Sequence, residues 1–161
     1  MTRDPFRAPI SLVEEVDAVI LPTPEMVELL HSIQLRRFGG GQGIRDRGLL
    51  QSAVARGAAS LQWSEAPDTI DAACGMGEGV IRNHPFVDGN KRTGFAVILS
   101  TLTTNACRFD MDPIEAARLI VDFAASRVSS EEFRQVIRDH VQVCRTGAEI
   151  EALSERETPA P

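Results

Sequence analysis

The chain has 161 residues, of which 43% are hydrophobic and 25% are charged, and these values are typical of one globular domain that buries a core of its own. No apolar run is long enough to span a bilayer, and the N-terminus lacks the apolar segment that follows the charges of a secretory signal. Because the net charge is −6, the surface as a whole does not attract nucleic acid, and an anionic ligand would need a local concentration of donors.

The three cysteines are Cys74, Cys107 and Cys144. They are far apart, odd in number and form no CxxC pair, which predicts reduced, mostly buried thiols rather than a disulfide framework or a zinc site. This usage is typical of a cytoplasmic protein.

The first part of the chain is predicted to contain a loose arm and one helix. Residues 1–17 carry early prolines and later acidic side chains, which indicate the arm. Thr23 followed by Pro24 is typical of a helix start, with a hydroxyl cap and proline at the first helical position. Apolar residues continue this helix to about Phe38, and the glycines within 39–43 end it and open a flexible loop.

The next two helices are predicted from their caps. Asp46 and Asp68 each precede an apolar face at helical spacing. The third helix contains Gly75, Gly77 and Gly79, and each glycine costs about 1 kcal/mol relative to alanine within a helix. Close packing against a neighbouring helix or a ligand would explain these glycines, and so would simple tolerance.

Three further helices are predicted in the second half of the chain. The first runs from about residue 91 to 104. Asp112, followed by proline, caps the next one, and Ser129 opens a capping box for a last helix that extends to Val143. Between these helices, residues 107–111 have room for a short extended segment.

The predicted architecture is an all-α bundle with one domain over residues 18–144. The arm over 1–17 precedes this domain. The polar, proline-containing tail over 145–161 is predicted to be disordered.

One loop concentrates residues that suit phosphate chemistry. Residues 84–94 have the sequence His-Pro-Phe-Val-Asp-Gly-Asn-Lys-Arg-Thr-Gly. Asn90 is predicted to cap the helix that follows, and the free N–H groups of the first turn of that helix form an anion site. Lys91 and Arg92 add two cations at this point, and Gly89 lets the backbone approach a ligand closely.

Two more side chains of this loop suggest a reaction. Asp88, set among phosphate donors, suits Mg²⁺, which takes one or two carboxylates plus phosphate oxygens. His84 can accept a proton near neutral pH, and we predict it as the general base. Each element alone is also typical of a structural turn. Cations at a helix N-terminus have the wrong sign for stability, however, and a bound anion is the simplest explanation for them.

Residues 84–93 resemble the core motif of the Fic/Doc family, and specifically its Doc (death-on-curing) branch. The upstream stretch from Phe38 to Ala53, with its glycines and the sequence Gly-Ile-Arg-Asp-Arg-Gly-Leu-Leu, is similar to the same branch. The resemblance extends over residues 20–142 in outline, although these two blocks carry it. It implies an all-helical Fic fold, with a short β-hairpin or flap.

The resemblance also implies a function. Doc-like proteins are bacterial toxins that act on translation elongation factor Tu and are neutralised by a small antitoxin, here a Phd-like one. It implies ATP as co-substrate, Mg²⁺, and a Ser or Thr hydroxyl of a protein as acceptor, with no direct nucleic acid or membrane partner. His84 would be catalytic and Asp88 would hold the metal. The residues implied to bind ATP are Phe86, Gly89, Asn90, Lys91 and Arg92.

Two positions bear on which group is transferred. The AMP-transferring members of the family carry glycine where this chain has Lys91, and a further arginine where it has Phe95. Lysine fills space in which the α- and β-phosphates would otherwise lie, and the missing arginine removes a phosphate anchor, so both differences favour phosphoryl transfer. The resemblance to the Doc branch implies that the nucleotide binds in reversed sense and presents its γ-phosphate to the acceptor. Gly89, which AMP-transferring relatives share, keeps AMP transfer open, and a catalytically silent binding domain is a third reading.

The remaining candidates have less specific interpretations. The loop over residues 39–47 is a candidate flap that, by the resemblance, would receive the backbone of the target by strand addition. A helix connector with solvated Arg45 and Arg47 is the alternative. His31 and His140 lie at helical spacing among apolar residues and are predicted to be structural.

Overall fold

The computed structural model describes residues 11–16, 19–63 and 68–144, with side chains described as far as residue 142. As predicted for a Fic-type helical bundle, this part of the chain is mostly helical, with α1 Pro24–Phe38, α2 Arg47–Gln62, α3 Thr69–Asn83, α4 Asn90–Thr104, α5 Pro113–Ala124 and α6 Ser130–Asp139. The short strands are β1 Val13–Val16, β2 Val19–Pro22, β3 Cys107–Phe109 and β4 Val141–Cys144. Within these ranges no helix has the length and apolar character that a bilayer crossing requires.

Five helices begin at the caps that the sequence predicts. The N-cap residues are Thr23, Asp46, Asp68, Asp112 and Ser129. Each of these side chains accepts a hydrogen bond from a backbone N–H of the first turn, which satisfies a donor that has no partner within its helix. Ser129 and Glu132 form both bonds of the predicted capping box.

Strand pairing changes the predicted ends of the helical domain. The last helix ends at Asp139 rather than Val143, because β4 leaves the helix and pairs antiparallel with β3. The extended segment predicted after α4 is confirmed as β3. At the other end, β1 lies within the predicted arm and pairs antiparallel with β2. Residues 1–10 of that arm and the predicted tail lie outside the described residues.

The cysteines follow the prediction only in part. Cys74 is a buried free thiol, and burial raises its pKa. Cys107 is disulfide-bonded instead, so the expectation of a reduced thiol was wrong at this position. The β3–β4 ladder places Cys107 directly opposite Cys144, a juxtaposition that their separation along the chain does not reveal.

Helix α3 lies at the centre of the fold, between α2 and α4. Nearly every residue from Ile70 to Ile81 is buried. A Cβ added to Gly77 would lie 2.7 Å from the carbonyl oxygen of Gly94 on α4. On the opposite side, a Cβ added to Gly79 would lie 2.8 Å from Cα of Ala53 on α2. Close helix packing, rather than tolerance, therefore explains the glycines of α3.

A buried ion pair fastens α6 to α3. Glu78 is only 2% exposed, and it accepts hydrogen bonds from Arg134 Nε at 2.6 Å and Nη2 at 3.2 Å. Arg138 adds ion pairs with Asp68 and Asp71 at the start of α3. The bidentate bond satisfies the Glu78 carboxylate, which would be strongly unfavourable in the core without a partner.

Substitution of Gly77 by alanine tests the packing of α3 on α4. Gly77→Ala is expected to lower the free energy of unfolding by about 1–3 kcal/mol, because the added methyl group overpacks the contact and outweighs the helix propensity that alanine gains. Urea unfolding measures the change. Thr103→Ala, at an exposed position of α4, serves as the control and should stay within about 0.5 kcal/mol of the parent. If the urea midpoint of Gly77→Ala were equal to or higher than that of the parent, the close contact between α3 and α4 would be contradicted.

Candidate active site

The loop between α3 and α4 begins with a histidine in an unusual backbone conformation. Helix α3 ends at Asn83, and His84 has φ 51° and ψ 54°, in the left-handed region. This conformation costs about 1–2 kcal/mol for a residue with a Cβ atom, so contacts from the surroundings must hold it. The His84 side chain is exposed, which leaves its imidazole accessible to a substrate.

The side chain of Asn90 closes the loop from within. Its Oδ1 accepts a hydrogen bond from the Phe86 N–H at 2.9 Å, and its Nδ2 donates to the Phe86 carbonyl at 2.9 Å. Nδ2 also lies 3.2 Å from His84 Nδ1. Because an amide nitrogen can only donate, Nδ1 is the acceptor in this contact. Asn90 is 3% exposed, so its amide bonds to Phe86 and His84 rather than to open solvent.

Asn90 does not cap α4, contrary to the prediction. Gly89 is the N-cap, with φ 75°, and the cap makes no side-chain hydrogen bond. Asn90 is the first helical residue, and its side chain is turned back toward Phe86, as described above. The first amides of α4 therefore have no capping side chain, and Thr93 N is the first to bond within the helix, to Gly89 O at 2.9 Å. An uncapped helix N-terminus is a favourable site for an anion.

The two cations after Asn90 differ in their surroundings. Lys91 is exposed. Arg92 is half-buried and donates from Nη1 to the Gly39 carbonyl at 3.0 Å, while its guanidinium carbon lies 5.8 Å from the centre of the Phe38 ring. Both cations thus sit at the positive end of the α4 dipole, as the sequence predicts, and together they give this end of the helix a local excess of positive charge.

Asp88 presents an exposed carboxylate beside the same helix end. It accepts hydrogen bonds from Gly89 N at 2.6 Å and from Gly41 N at 3.2 Å, and these bonds lower the pKa of the carboxyl below its ordinary value. Arg92 Nη2 lies 4.0 Å from Oδ1. Within the described ranges no three His, Cys, Asp or Glu side chains cluster around a common point. An ionised single carboxylate fits Mg²⁺, which completes its shell with phosphate and water.

His31 supports the loop from α1. Its Nε2 lies 2.9 Å from the Asp88 carbonyl oxygen, and because a carbonyl can only accept, Nε2 donates. The imidazole also stacks on Phe86, with ring centroids 3.9 Å apart and planes 7° from parallel. Both rings are buried. His31 is structural, as the sequence predicts. Its contacts with Asp88 and Phe86 could not be predicted from the residues around it in the sequence.

Phe86 is part of this support rather than an open binding surface. It is 1% exposed and belongs to the hydrophobic core, and its backbone groups are taken by Asn90. A role in ATP binding therefore has to be indirect, through the shape of the loop.

The structure limits the predicted flap to residues 39–46, because α2 begins at Arg47, and backbone hydrogen bonds join residues 43–46 of the flap to the loop between α3 and α4. Ile44 and Phe86 form an antiparallel bridge, and Val87 N donates to Gly43 O at 3.0 Å. Arg45 N donates to Pro85 O at 2.7 Å. The flap thus acts as a short strand against the motif, although neither segment belongs to a regular sheet.

Arg45 reaches from the flap to the carbonyl groups on either side of the α3 end. Its Nε donates to the His84 carbonyl at 2.8 Å, and its Nη2 donates to the Asn83 carbonyl at 2.9 Å. Asn83 is held in turn by a bond from its Nδ2 to Leu49 O at 3.1 Å. These bonds hold the left-handed turn at His84. Arg45 and Arg47 are both exposed, as the connector alternative expects, but each also has a protein partner, since Arg47 pairs with Glu28 at 2.8 Å.

Sequence comparison relates this chain to known proteins. Residues 21–102 match the family model described as "Fic/DOC family". The chain is 42% identical over 83 residues to "Toxin Doc" of Mycolicibacterium smegmatis, an alignment that spans 48% of this chain and 64% of that relative. It is 28% identical over 116 residues to "Protein kinase doc" of Escherichia phage P1, which covers 72% of this chain and 91% of that relative. The chain thus spans somewhat less than two thirds of the first relative.

The pKa of Asp88 provides a test of the flap contact. Because the folded-state pKa is depressed, the carboxylate stabilises the folded protein above its unfolded-state pKa, and this contribution is lost as the pH falls through the folded value. We expect the Asp88 carboxyl carbon and the Gly41 amide to titrate together in NMR spectra, with a pKa below the ordinary aspartate value. Asp88→Asn should abolish the Gly41 titration. If the chemical shift of the Gly41 amide did not change as Asp88 titrates, the hydrogen bond between them would be contradicted.

Proposed function

The chain belongs to the Fic/DOC family, and from this premise we propose that it is a Doc-like toxin of a toxin–antitoxin system that transfers the γ-phosphate of ATP to a Ser or Thr hydroxyl of a protein. Both relatives support the proposal by name, one as a Doc toxin and the other as a protein kinase. The observation that carries it is the uncapped N-terminus of α4, which lies between His84 and two cations.

The chemistry needs a phosphate cradle and a base within reach of each other. Backbone N–H groups, Lys91 and Arg92 supply fixed positive charge where the oxygens of the transferred phosphoryl group would lie. Most of the catalysis of phosphoryl transfer consists of such positioning and charge stabilisation. A protein that bound only an uncharged ligand would gain nothing from two cations at the positive end of a helix.

This chain differs at two positions from the AMP-transferring members of the family, and both differences favour transfer of a phosphoryl group. Lys91 stands in place of a glycine, and its side chain is exposed at the cradle. Phe95 stands in place of an arginine, and its ring packs edge-on against Phe109 with centroids 6.1 Å apart. One phosphate anchor of that pattern is therefore replaced by an aromatic ring that cannot bind phosphate.

Asp88 is the residue that would hold Mg²⁺. The metal, when bound, neutralises charge on the phosphates and so favours attack on phosphorus. The Asp88 carboxyl is ionised at neutral pH, and the hydrogen bonds from Gly89 and Gly41 lower its pKa further. His31, through the Asp88 carbonyl, and Gly41, through the carboxylate, fix the direction in which this side chain points.

His84 would act as the general base. The acceptor hydroxyl oxygen forms a bond to the γ-phosphorus while the bond from that phosphorus to the β–γ bridging oxygen breaks, so that ADP leaves and the hydroxyl proton passes to His84. The neutral imidazole has one lone pair, and in the present conformation that lone pair, on Nδ1, faces Asn90. Proton transfer therefore requires His84 to exchange its contact with Asn90 for the acceptor hydroxyl.

The partners are proposed on the family resemblance. Elongation factor Tu would be the target, a small Phd-like antitoxin would be the inhibitor, and both would be met in the cytoplasm. The flap is the segment that would pair with the backbone of the target, since it already lies as a short strand against the motif loop. This arrangement would bring an acceptor hydroxyl near His84, whose carbonyl is bonded to Arg45 of the flap.

Labelled ATP tests the reaction. Incubation of the protein with elongation factor Tu and Mg²⁺ is expected to transfer label from γ-³²P-ATP and none from α-³²P-ATP. His84→Ala should lower the rate by a factor of about 10²–10⁴, the usual contribution of a general base. His140→Ala is the matched control, because His140 lies at the end of α6 beside Phe109, and should retain transfer. If the target were labelled only by α-³²P-ATP, the reaction would be AMP transfer, the alternative that Gly89 keeps open, and the proposal would be wrong.

A further inference from the structure

Helix α3 ends without the backbone cap that the other helices have. At the other five helices, the residue after the last turn donates its N–H back to a carbonyl of the helix. Among the described residues α3 is the exception, since the N–H of His84 makes no such bond. A left-handed residue at a helix end is commonly followed by an N–H that closes on the helix, but Pro85 has none. The carbonyl groups at this end of α3 therefore need donors from another part of the chain.

Arg45 supplies these donors from the flap. Its Nη2 donates to the Asn83 carbonyl at 2.9 Å and its Nε donates to the His84 carbonyl at 2.8 Å. Its main-chain N–H donates to the Pro85 carbonyl at 2.7 Å, so one residue binds three successive carbonyl groups. Nε and Nη2 lie on one edge of the planar guanidinium, a rigid fork that lysine cannot reproduce. The positive charge of this group also lies at the negative end of the α3 dipole.

The bonds from Arg45 act on the residue that carries the proposed base. The His84 imidazole is exposed, and Asn90 Nδ2 lies 3.2 Å from its Nδ1. Because so little packs around this ring, its position depends on the direction in which Cβ leaves the backbone, and φ and ψ set that direction. The left-handed conformation of His84 is unfavourable for a residue with a Cβ atom. Without the bonds to the carbonyl groups, the backbone would leave this conformation and the imidazole would point elsewhere.

A role that is limited to holding the flap in place explains these bonds less well. Main-chain hydrogen bonds already hold the flap, since Val87 N donates to Gly43 O at 3.0 Å and Asp46 N donates to Pro85 O at 3.1 Å. Both bonds are independent of the Arg45 side chain, which is exposed and whose removal leaves no cavity in the core. Loss of this side chain should therefore leave the fold and the flap in place and release the turn at His84.

We propose that Arg45 is a positioning residue for the general base, an inference that rests on the proposed function. It provides from the flap the cap that α3 lacks, so the flap and the His84 turn form one unit. The segment that would pair with the target then also fixes the direction of the imidazole. An acceptor hydroxyl on a strand paired with the flap would meet the base in a defined geometry, which is the condition for efficient proton transfer.

The kinetics of Arg45→Ala test this role, with Arg47→Ala as the matched control. Arg47 is an exposed arginine two residues further on, and it pairs with Glu28. Phosphorylation of elongation factor Tu with Mg–ATP is measured for each full-length variant. Arg45→Ala is expected to lower kcat about 10- to 100-fold, as misplacement of a catalytic group does, and to leave KM for ATP and for the target unchanged. Arg47→Ala should retain the kcat of the parent. Equal kcat values for the two variants would overturn the inference.

The same substitution in a His84→Ala background shows whether Arg45 acts through the base. When the imidazole is absent, Arg45→Ala has no base left to misplace. The double variant should therefore have the same kcat as His84→Ala alone. If the two decreases multiplied instead, Arg45 would act on another part of the site. That result would overturn the inference, while the proposed function would stand.

Backbone NMR gives a readout that requires no activity. Residual dipolar couplings of the parent should place His84 in the left-handed region. The inference predicts that Arg45→Ala loses this conformation, while the couplings of α3 and α4 stay the same. Identical His84 couplings in the parent and in Arg45→Ala would overturn it. If the parent transferred no phosphate to the target, the proposed function would fail, and these couplings would still decide whether Arg45 holds the turn.

Discussion

The close contact between α3 and α4 is the constraint on which the rest of the molecule depends. Gly77 and Gly94 lack side chains where the two helices approach, and an added Cβ at either position would meet a backbone carbonyl of the other helix at 2.7 Å. Because the helices are this close, six residues suffice to join them. The C-terminal end of α3, which presents His84, and the N-terminal end of α4, which presents uncapped amides, therefore lie at the same end of the bundle.

A short loop between two helix ends is not rigid by itself, and the structure supplies its supports from distant parts of the chain. Arg45 of the flap binds the carbonyl groups around His84, and His31 of α1 binds the carbonyl of Asp88. Asn90 completes the loop from within by bonding both backbone groups of Phe86. Preorganised groups of this kind need little rearrangement when charge develops, which is what a phosphoryl-transfer site requires. The hydrogen bonds that hold the loop therefore also position His84 and Asp88 for the proposed reaction.

The sequence predicted what depends on neighbours along the chain and failed where distant segments meet. Five caps and the glycines of α3 have local signatures, and so does the motif loop itself. The pairing of β4 with β3, which shortens α6, joins residues more than thirty positions apart and leaves no local pattern. Asn90 was misread as a cap for the same reason, since its partners follow from the turn at Phe86. The sequence placed Arg45 in the flap and His31 on the apolar face of a helix, but it did not predict the hydrogen bonds of either side chain. Those bonds reach residues 38 to 57 positions away.

The direction in which a nucleotide lies along α4 is the central claim, and a crystal structure with Mg²⁺ and a non-hydrolysable ATP analogue tests it most directly. The account predicts the γ-phosphate on the first amides of α4, nearest the His84 imidazole, with the metal bound to Asp88. A complex with the α-phosphate nearest His84 would contradict it.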